Sequence, residues 1–464
     1  MGGDITSNHI NPAGIGLYKT REFIFSPGFN LNNNNINYLD AKSSLSKNAF
    51  AYGTTGIVFG SASRYQGPVA STAFSISLTQ LASYNNHTYY KGANNYSSYS
   101  EKYIEELVRD GANEQAALSN YIFGSSLAFY TYLIDTTLNS SGQLSGYRSL
   151  VPVGTGVEQE RDEDTKGGLH ELSFDFATNM ADRLYLGFGL NIPIMSYNRN
   201  LIYSETDITN NPDNNFDYFT YQENYRTNGF GINAKLGLIY KLNSSIRLGF
   251  AFHTPSFMQL TDKQRTEITT NTEGYAGTLK ASSDEFNSGN AGEITYRVTT
   301  PYRAIGSISF LFNPVEETKR QRGFITADVE YVNYRGVRYS VLPENNGDFA
   351  SVDYYDALND VIKDYYKGNI NVRLGAEIKF DPWAIRLGGA YYGSPYADAD
   401  LKANRLMASG GIGYRNKGFF IDLTLSQTFN TDVNFPYRLN DKANVFATTK
   451  NNRSNIMATV GFKF

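Results

Sequence analysis

The sequence lacks features that several classes of protein require. It contains no cysteine, which excludes disulfides, thiolate catalysis and cysteine metal sites in any compartment. It has no run of about 18 uncharged apolar residues, so the chain is not a helical membrane protein. With 41 Lys and Arg against 45 Asp and Glu, it has no basic patch or tail, and we expect no nucleic acid partner.

Histidine is also scarce. Only four occur, and none has metal-ligand spacing with another. His170 lies beside Glu171, and His253 lies near Ser256, but neither pair belongs to a catalytic motif. We therefore expect no enzyme activity, no metal and no cofactor.

Aromatic residues, by contrast, are abundant. The 464 residues include 36 Tyr and 30 Phe but one Trp, while the mean hydropathy is -0.40. A transmembrane β-barrel has this combination because only every second residue of a strand faces lipid. Length and composition therefore favour one large barrel over two or three soluble domains.

The last nine residues show the strand pattern in its simplest form. Their apolar side chains alternate with a mixed set, so on a strand they share one face. The apolar set is Ile456, Ala458, Val460, Phe462 and Phe464. The same alternation recurs along the chain and is clearest from Ile370 to Phe380. Counting these segments predicts fourteen strands, an even number, as in single-chain bacterial barrels.

The predicted fold class is therefore all-β, an antiparallel transmembrane β-barrel over residues 21–464. Its first three strands are predicted at Glu22 to Leu31, at residues 53–62 and at residues 69–90. Asn32 to Asn35 is predicted to be a polar loop.

Connection lengths provide an independent test of the barrel. Every second connection is short: Ser63 to Gly67, Asn179 to Asp182, Asn243 to Ser245, Asp381-Pro382, Asn416 to Gly418 and, the longest, Asn313 to Arg322. The others are nearly all long: residues 90–167, 202–216, 262–292, 336–367 and 431–450. A membrane barrel has short periplasmic turns and long outer loops, whereas a soluble sandwich gives no reason for this asymmetry.

On the later strands, charged residues occupy the face opposite the apolar one. In a soluble sandwich such charges would point to water, so this face alone does not distinguish the two folds. In the barrel they are expected to line the lumen, and the set is Asp328, Glu330, Arg373, Glu377, Lys379, Arg386 and Asp422.

The longest outer loop, residues 91–167, is predicted to contain helices. Ser98 with Glu101 forms a capping box, and Glu114 to Ile134 is an unusually apolar helical stretch, while residues 139–168 are predicted to be loop. An apolar surface of this size needs a packing partner or a ligand. We predict a ligand site, with mutual packing of the loop helices as the alternative. Its residues would be Leu118, Ile122, Phe123, Leu127, Phe129, Tyr130 and Leu133.

Prolines interrupt two of the predicted strands. Pro193 and Pro255 cannot donate a ladder hydrogen bond, so each marks either a local bulge or a gate in the wall. Both are candidates for a gate.

A resemblance to a known family begins at Asn11-Pro12-Ala13-Gly14, just before the first strand. With fourteen strands and a C-terminal Phe464, the chain resembles the FadL-type and TodX-type outer-membrane transporters of long-chain fatty acids and other hydrophobic compounds. Similarity to one branch of that family lies in Gly2-Gly3-Asp4, Tyr132-Leu133-Ile134-Asp135, Phe252-His253-Thr254-Pro255 and Asp328-Val329-Glu330-Tyr331.

The resemblance implies that residues 1–20 are a truncated hatch, the remainder of a plug inside the barrel, which contains Asn11, Pro12, Ala13 and Gly14. It also implies that an apolar ligand leaves sideways through a gap in the wall, at the third strand. That strand has no Gly or Pro between Val69 and Tyr90, which leaves the position of the gap open. The terminal Phe462 and Phe464 resemble the signal that the barrel-assembly machinery reads.

The function we expect is passive transport of a hydrophobic small molecule, such as a fatty acid, detergent or lipid, with an aromatic compound or haem left open. The alternative is an interaction barrel that docks secreted or surface proteins without transport. The other expected partners are outer-membrane lipid and the barrel-assembly machinery, and the barrel is expected to be a monomer. Met1-Gly2-Gly3-Asp4 has no leader character. Because the strand pattern nevertheless indicates an outer-membrane barrel, we expect that a signal peptide directed the chain to the outer membrane of a Gram-negative bacterium and was then removed.

Overall fold

The computed structural model describes residues 3–63, 67–312, 322–345, 347–399, 401 and 403–464. Fourteen antiparallel strands form one closed sheet in which β1, β2, β3, β7 and β8 are each interrupted once. The strands are β1 (Arg21–Phe25 and Pro27–Tyr38), β2 (Ala41–Tyr52 and Thr55–Ala62), β3 (Val69–Ser83 and Asn86–Asn94), β4 (Val157–Met180), β5 (Leu184–Asp207), β6 (Tyr218–Lys241), β7 (Ile246–His253 and Phe257–Asn271), β8 (Gly292–Thr299 and Arg303–Phe312), β9 (Gly323–Asn333), β10 (Gly368–Phe380), β11 (Trp383–Tyr392), β12 (Arg405–Asn416), β13 (Phe419–Asn434) and β14 (Ala447–Lys463).

The terminal strand closes the barrel. Glu22 of β1 pairs with Lys463 of β14, and Arg21 and Phe464 exchange two backbone hydrogen bonds of 3.1 and 3.0 Å. Phe462 points outward and is 48% exposed. The fourteen strands and the closure of the last strand on the first are therefore confirmed.

Charged side chains of the later strands lie on the inner face, as predicted. Arg386 donates hydrogen bonds to Glu377 at 2.6 Å and to Asp422 at 2.7 Å. Arg373 donates to Glu330 at 2.7 Å. The three carboxylates are buried, so these ion pairs lie inside the barrel.

Several strands extend further than the sequence pattern predicted. Asn32 to Asn35 lies within β1, so the prediction of a polar loop there was wrong. β4 begins at Val157, which corrects the loop predicted at residues 139–168, and the long outer loop covers residues 95–156. β4, β5 and β6 each contain 24 residues, whereas crossing a bilayer needs about 9–11. Their outer ends therefore project beyond lipid, where outward side chains can be polar.

Within the described ranges, the outer loops contain four α-helices: α1 (Tyr99–Arg109), α2 (Glu114–Ser119), α3 (Ser125–Tyr130) and α4 (Phe349–Tyr365). The capping box of α1 is confirmed, with the Ser98 N–H donating to Glu101 Oε2 at 3.2 Å. The predicted helical stretch from Glu114 to Ile134 divides into α2 and α3, and Ile134 begins a short strand. Short loop strands occur at Ile134–Leu138, Leu144–Ser149, Thr278–Ser282 and Arg338–Ser340. Among the described residues, no helix is long and apolar enough to cross a membrane.

Connection lengths alternate as the sequence predicted, with the exception of the two-residue turn at residues 39–40, which joins β1 to β2 at the end of the long loops. Residues 181–183, 242–245, 381–382 and 417–418 form short turns at one end of the barrel. Most of the predicted turn from Asn313 to Arg322, and the middle of the one from Ser63 to Gly67, lie outside the described residues. The long loops and all four α-helices lie at the opposite end, which we call the outer end.

Candidate functional site

The N-terminal segment lies inside the barrel near the short turns. Two 3-10 turns, Ile5–His9 and Pro12–Leu17, pack against the barrel wall, the second mainly against β4, β5 and β6. The predicted hatch residues all lie at the start of the second turn and are buried: Asn11, Pro12, Ala13 and Gly14.

Asn11 fixes this segment to the barrel. Its Oδ1 accepts a hydrogen bond from the Ala13 N–H at 3.0 Å, which caps the turn. Its Nδ2 donates to the carbonyl oxygens of Leu238 and Phe250, each at 3.2 Å. A Cβ at Gly237 would overlap the Asn11 amide oxygen, so the wall must have glycine there for the backbones to approach this closely.

A buried polar network continues upward from this contact. Glu171 and Lys235 form an ion pair inside the lumen, and both are buried. His9 Nδ1 lies 3.8 Å from Glu171, and Asn8 Nδ2 donates to Ser75 Oγ at 2.7 Å. The segment is therefore attached to the wall by polar groups that the lumen shields from water.

The barrel wall has a seam between residues 41–52 of β2 and residues 79–94 of β3. The outer half of β2 pairs with β1, and the outer half of β3 pairs with β4. In the part of the chain that the structure describes, no backbone ladder joins these two halves. Beyond its break at Tyr84 and Asn85, β3 is displaced toward the inside, where Asn34 of β1 donates to the side chain of Asn86 at 2.6 Å.

Side chains bridge the seam where the ladder is missing. Ser43 Oγ donates to the Tyr89 carbonyl oxygen at 2.5 Å, and the Tyr52 N–H donates to Gln80 Oε1 at 3.2 Å. These bonds satisfy a few backbone groups of an otherwise unpaired strand edge.

Two further contacts pass directly from β2 to β4. The Tyr52 and His170 rings stack with centroids 5.4 Å apart, and the Tyr52 hydroxyl shares a 2.6 Å hydrogen bond with His170 Nδ1. Lys47 forms an ion pair with Asp164. Phe50, two residues from Tyr52, is 58% exposed on the outer face, so the lower end of the seam lies at the level of the apolar outer surface.

The outer half of the lumen contains a cavity of about 1070 Å³, which we call the tyrosine chamber. It lies between β6, β7, β8 and β13 and beneath α4. Nine of the described residues that line it are tyrosines, and Tyr296 packs between two others, Tyr339 and Tyr355, with ring centroids 5.7 and 6.2 Å away. Apolar side chains of Met258 and Leu260 form part of the cluster below Tyr296. The chamber is thus mainly apolar but carries many hydroxyl groups.

The loop tyrosines of the chamber remain neutral hydrogen-bond donors. Burial is the main reason that the pKa values of Tyr339, Tyr355 and Tyr396 are raised above the ordinary value for tyrosine. Their hydroxyls can therefore donate hydrogen bonds to a ligand at any physiological pH.

The predicted ligand residues lie outside the chamber, in a cap that α1, α2 and α3 form over the outer end. Leu127, Phe129 and Leu133 are buried in one apolar cluster with the outer ends of β4, β5 and β6. Tyr130 is half exposed and contacts Phe286 with ring centroids 5.1 Å apart. Partly buried members of the set are Leu118, Ile122 and Phe123. The structure thus packs most of the predicted ligand residues together in the cap. Ligand binding by the cap stays a prediction.

The two proline candidates lie in stretches that remain joined to their neighbours. Pro193 interrupts the pairing of β5 with β6, while its pairing with β4 continues. Pro255 separates the two segments of β7, where the Thr254 N–H donates to a β6 carbonyl at 3.0 Å and the Ser256 N–H donates to Thr300 Oγ1 at 2.8 Å. A gating role for either proline stays a prediction.

The residues alone gave no position for the seam, although the resemblance implied a gap at the third strand, and sequence reasoning missed the chamber. The seam has no local signal, because the break at Tyr84 and Asn85 contains neither Gly nor Pro. The chamber had a partial signal in the paired aromatics Tyr354-Tyr355 and Tyr365-Tyr366, which lie in one outer loop and its helix.

No family model and no curated protein matches the sequence. Solved structures match it over nearly the whole chain. A Pseudomonas aeruginosa FadL homologue is 12% identical, with a TM-score of 0.54, over 100% of this chain and 95% of that one. The P. putida toluene transporter TodX is 12% identical, with a TM-score of 0.52, over 98% and 93%. The Ralstonia pickettii toluene transporter TbuX is 16% identical, with a TM-score of 0.50, over 99% and 93%. The chain therefore has the fold of the FadL-type and TodX-type barrels, as its resemblance to them predicted.

Proposed function

We propose that this chain is a passive outer-membrane transporter of hydrophobic small molecules. The observation that carries the proposal is the seam, whose lower end interrupts the ladder at the level of the apolar outer surface. Unpaired backbone groups in lipid cost several kcal/mol each, so a barrel without lateral traffic has reason to pair every strand. The presence of this interruption favours a role in ligand exit.

The proposed path runs from the tyrosine chamber to the seam. Residues 3–20 act as the hatch, because Asn8 and Asn11 donate hydrogen bonds to the barrel wall and hold this segment in the inner end of the lumen. A ligand in the chamber then has its way out beside Tyr52 and His170, into lipid. Transfer of apolar surface from water is favourable by about 25 cal/mol per Å², so no energy source is needed and the concentration gradient sets the direction.

The solved relatives support small hydrophobic substrates. TodX and TbuX are described as toluene transporters. The docking alternative draws support from α4, where Phe349 and Tyr354 are 77% and 63% exposed. A docking barrel does not need the seam to open, and this difference separates the two functions experimentally.

The test closes the seam reversibly. The chain has no native cysteine, so Lys47→Cys with Asp164→Cys introduces the only thiols, on either side of the seam. A short bifunctional thiosulfonate should link them and a reductant should release them. The matched control is Lys263→Cys with Glu293→Cys, an ion pair of 2.9 Å between β7 and β8, which are joined by a ladder.

Uptake of a fluorescent hydrophobic probe is measured in Gram-negative cells that have no other transporter for it. We expect cross-linking to abolish uptake through the seam pair, reduction to restore it, and the control pair to transport normally throughout. Undiminished uptake through the cross-linked seam would refute lateral exit, and no uptake by any form would favour docking.

A further inference from the structure

One charge in the tyrosine chamber has no opposite charge beside it. Asp262, on the inner face of β7, accepts hydrogen bonds from the Tyr225 hydroxyl at 2.5 Å and the Thr227 hydroxyl at 2.6 Å. Among the residues that the structure describes, no Lys, Arg or His forms an ion pair with it. An ionised carboxylate offers about four acceptor sites, so Asp262 retains capacity for a donor from the chamber.

Two cations on neighbouring parts of the wall already form ion pairs with other carboxylates. Arg199 forms its ion pair with Glu223, and Lys263 lies on the opposite face of β7 with Glu293. Arg438 also lines the chamber, but it belongs to the loop after β13 and stacks on Phe435, 4.4 Å from the ring centroid. The negative charge of Asp262 is therefore available to a ligand.

Aromatic rings surround this carboxylate. Tyr225 donates to it, and Tyr296, Tyr339 and Tyr355 form a continuous set of rings that lines the same chamber. Ring faces attract cations within about 6 Å because they carry negative partial charge. The Tyr225 ring already does so for Arg199, whose guanidinium carbon lies 5.3 Å from its centroid. A carboxylate among such rings is a binding environment for an organic cation.

Other ligand charges fit less well. The carboxylate of a fatty acid would meet Asp262 as a like charge in a partly desolvated chamber. A plain hydrocarbon would displace water from Asp262 without replacing its hydrogen bonds. A ligand with a positive group satisfies both the carboxylate and the ring faces, while its apolar body contacts the tyrosines and Leu358.

We propose that the tyrosine chamber selects hydrophobic organic cations, with a flat or multi-ring apolar body and a protonated amine or quaternary ammonium group directed at Asp262. The inference deepens the proposed function, because it names the ligand class that the chamber admits. A volume of about 1070 Å³ accommodates a drug-sized molecule, since ligand pockets commonly measure about 300–1000 Å³.

The test compares three probes that share one ring system. Calorimetry on the full chain in lipid nanodiscs, corrected with empty nanodiscs, measures binding of 1-naphthylmethylammonium, 1-naphthylmethanol and 1-naphthylacetate. We expect the cation to bind about tenfold more tightly than the alcohol, a difference of about 1.4 kcal/mol, and the acetate to bind most weakly.

Variants assign the preference to Asp262. Asp262→Asn should remove the tenfold preference and leave the affinity for the alcohol within about twofold. Asp432→Asn is the matched control, because Asp432 also lines the chamber but lies on β13. Tyr355→Leu should lower the affinity for the cation about threefold more than the affinity for the alcohol. Because Tyr355 lies on α4, outside the barrel wall, this change does not put barrel assembly at risk.

Equal affinities for cation and alcohol, tighter binding of the acetate, or a preference that survives Asp262→Asn would overturn the inference. Binding is measured without transport, so the two proposals fail separately. Unchanged uptake through a cross-linked seam refutes lateral exit alone, and the absence of a charge preference in the wild-type barrel, where that barrel transports, refutes the ligand class alone.

Discussion

Replacing Lys235 with Met leaves Glu171 without its main cation in the lumen. The two side chains are only 3% and 4% exposed, so water cannot take the place of the lost partner. Removing one member of a buried ion pair costs about 3–5 kcal/mol. His9 Nδ1 lies 3.8 Å from Glu171, so the carboxylate keeps one polar neighbour and part of the loss is offset. We therefore expect a loss of about 3 kcal/mol in the free energy of unfolding, the lower end of the range.

Two further variants separate charge from packing. Adding Glu171→Gln to Lys235→Met removes the uncompensated charge, so the double variant should return to within about 1 kcal/mol of the wild type. Lys263→Met serves as the exposed control, because Lys263 and Glu293 are each 53% exposed on the outer face. An ion pair of that kind contributes about 0–1 kcal/mol.

The assay is urea unfolding of the barrel in lipid vesicles, followed by the fluorescence of Trp383. This residue is the only tryptophan and is 49% exposed on the outer surface, so it reports loss of the lipid environment. A Lys235→Met barrel as stable as the wild type would refute the charge balance inferred for the lumen. A double variant no more stable than Lys235→Met would attribute the loss to packing instead.

Two other changes test the C-terminal residue and the cap. Deleting Phe464 removes the two backbone hydrogen bonds of 3.0 and 3.1 Å that join β14 to β1 at Arg21, so we expect a smaller folded fraction by heat-modifiable gel mobility; normal insertion would argue against an assembly signal. Phe129→Asp with Leu133→Asp places two charges in the buried apolar cluster of the cap. We expect loss of hydrophobic uptake by a barrel that still assembles, and unchanged uptake would exclude the cap from ligand binding.

The barrel could be predicted from sequence because its pattern is local. From Ile370 to Phe380 each residue alternates in face with the next, so a period of two assigns every side chain to lipid or lumen. The same rule placed Arg386 and its partners Glu377 and Asp422 on the inner face. Such assignments need no knowledge of which strands are neighbours.

Strand ends were predicted less accurately because lipid contact ends before the strands do. Asn33 and Asn35 are exposed on the outer face of β1, whereas Asn32 and Asn34 point inward and donate to Asn86. Alternation persists there in geometry but not in hydrophobicity, so a pattern that relies on apolar residues cannot detect it.

The seam and the chamber depend on contacts between distant parts of the chain. The Asn34–Asn86 bond joins residues 52 apart, and the Lys47–Asp164 pair joins residues 117 apart. The chamber likewise combines tyrosines from β6, β8, α4 and two outer loops. No periodicity within one segment encodes such a site, although the Tyr354-Tyr355 pair marks an outer loop as unusually aromatic.

The energetics of the seam favour passive exit. In a paired stretch of wall, separating two strands breaks a row of backbone hydrogen bonds at once. At the lower end of the seam, opening breaks the Tyr52–His170 and Tyr52–Gln80 hydrogen bonds. At about 0.5–1.5 kcal/mol net for each bond, opening costs about 1–3 kcal/mol. A free-energy difference of about 1–3 kcal/mol corresponds to an open state populated at roughly 0.6–15%, so thermal motion alone supplies the open form that the proposed lateral exit requires.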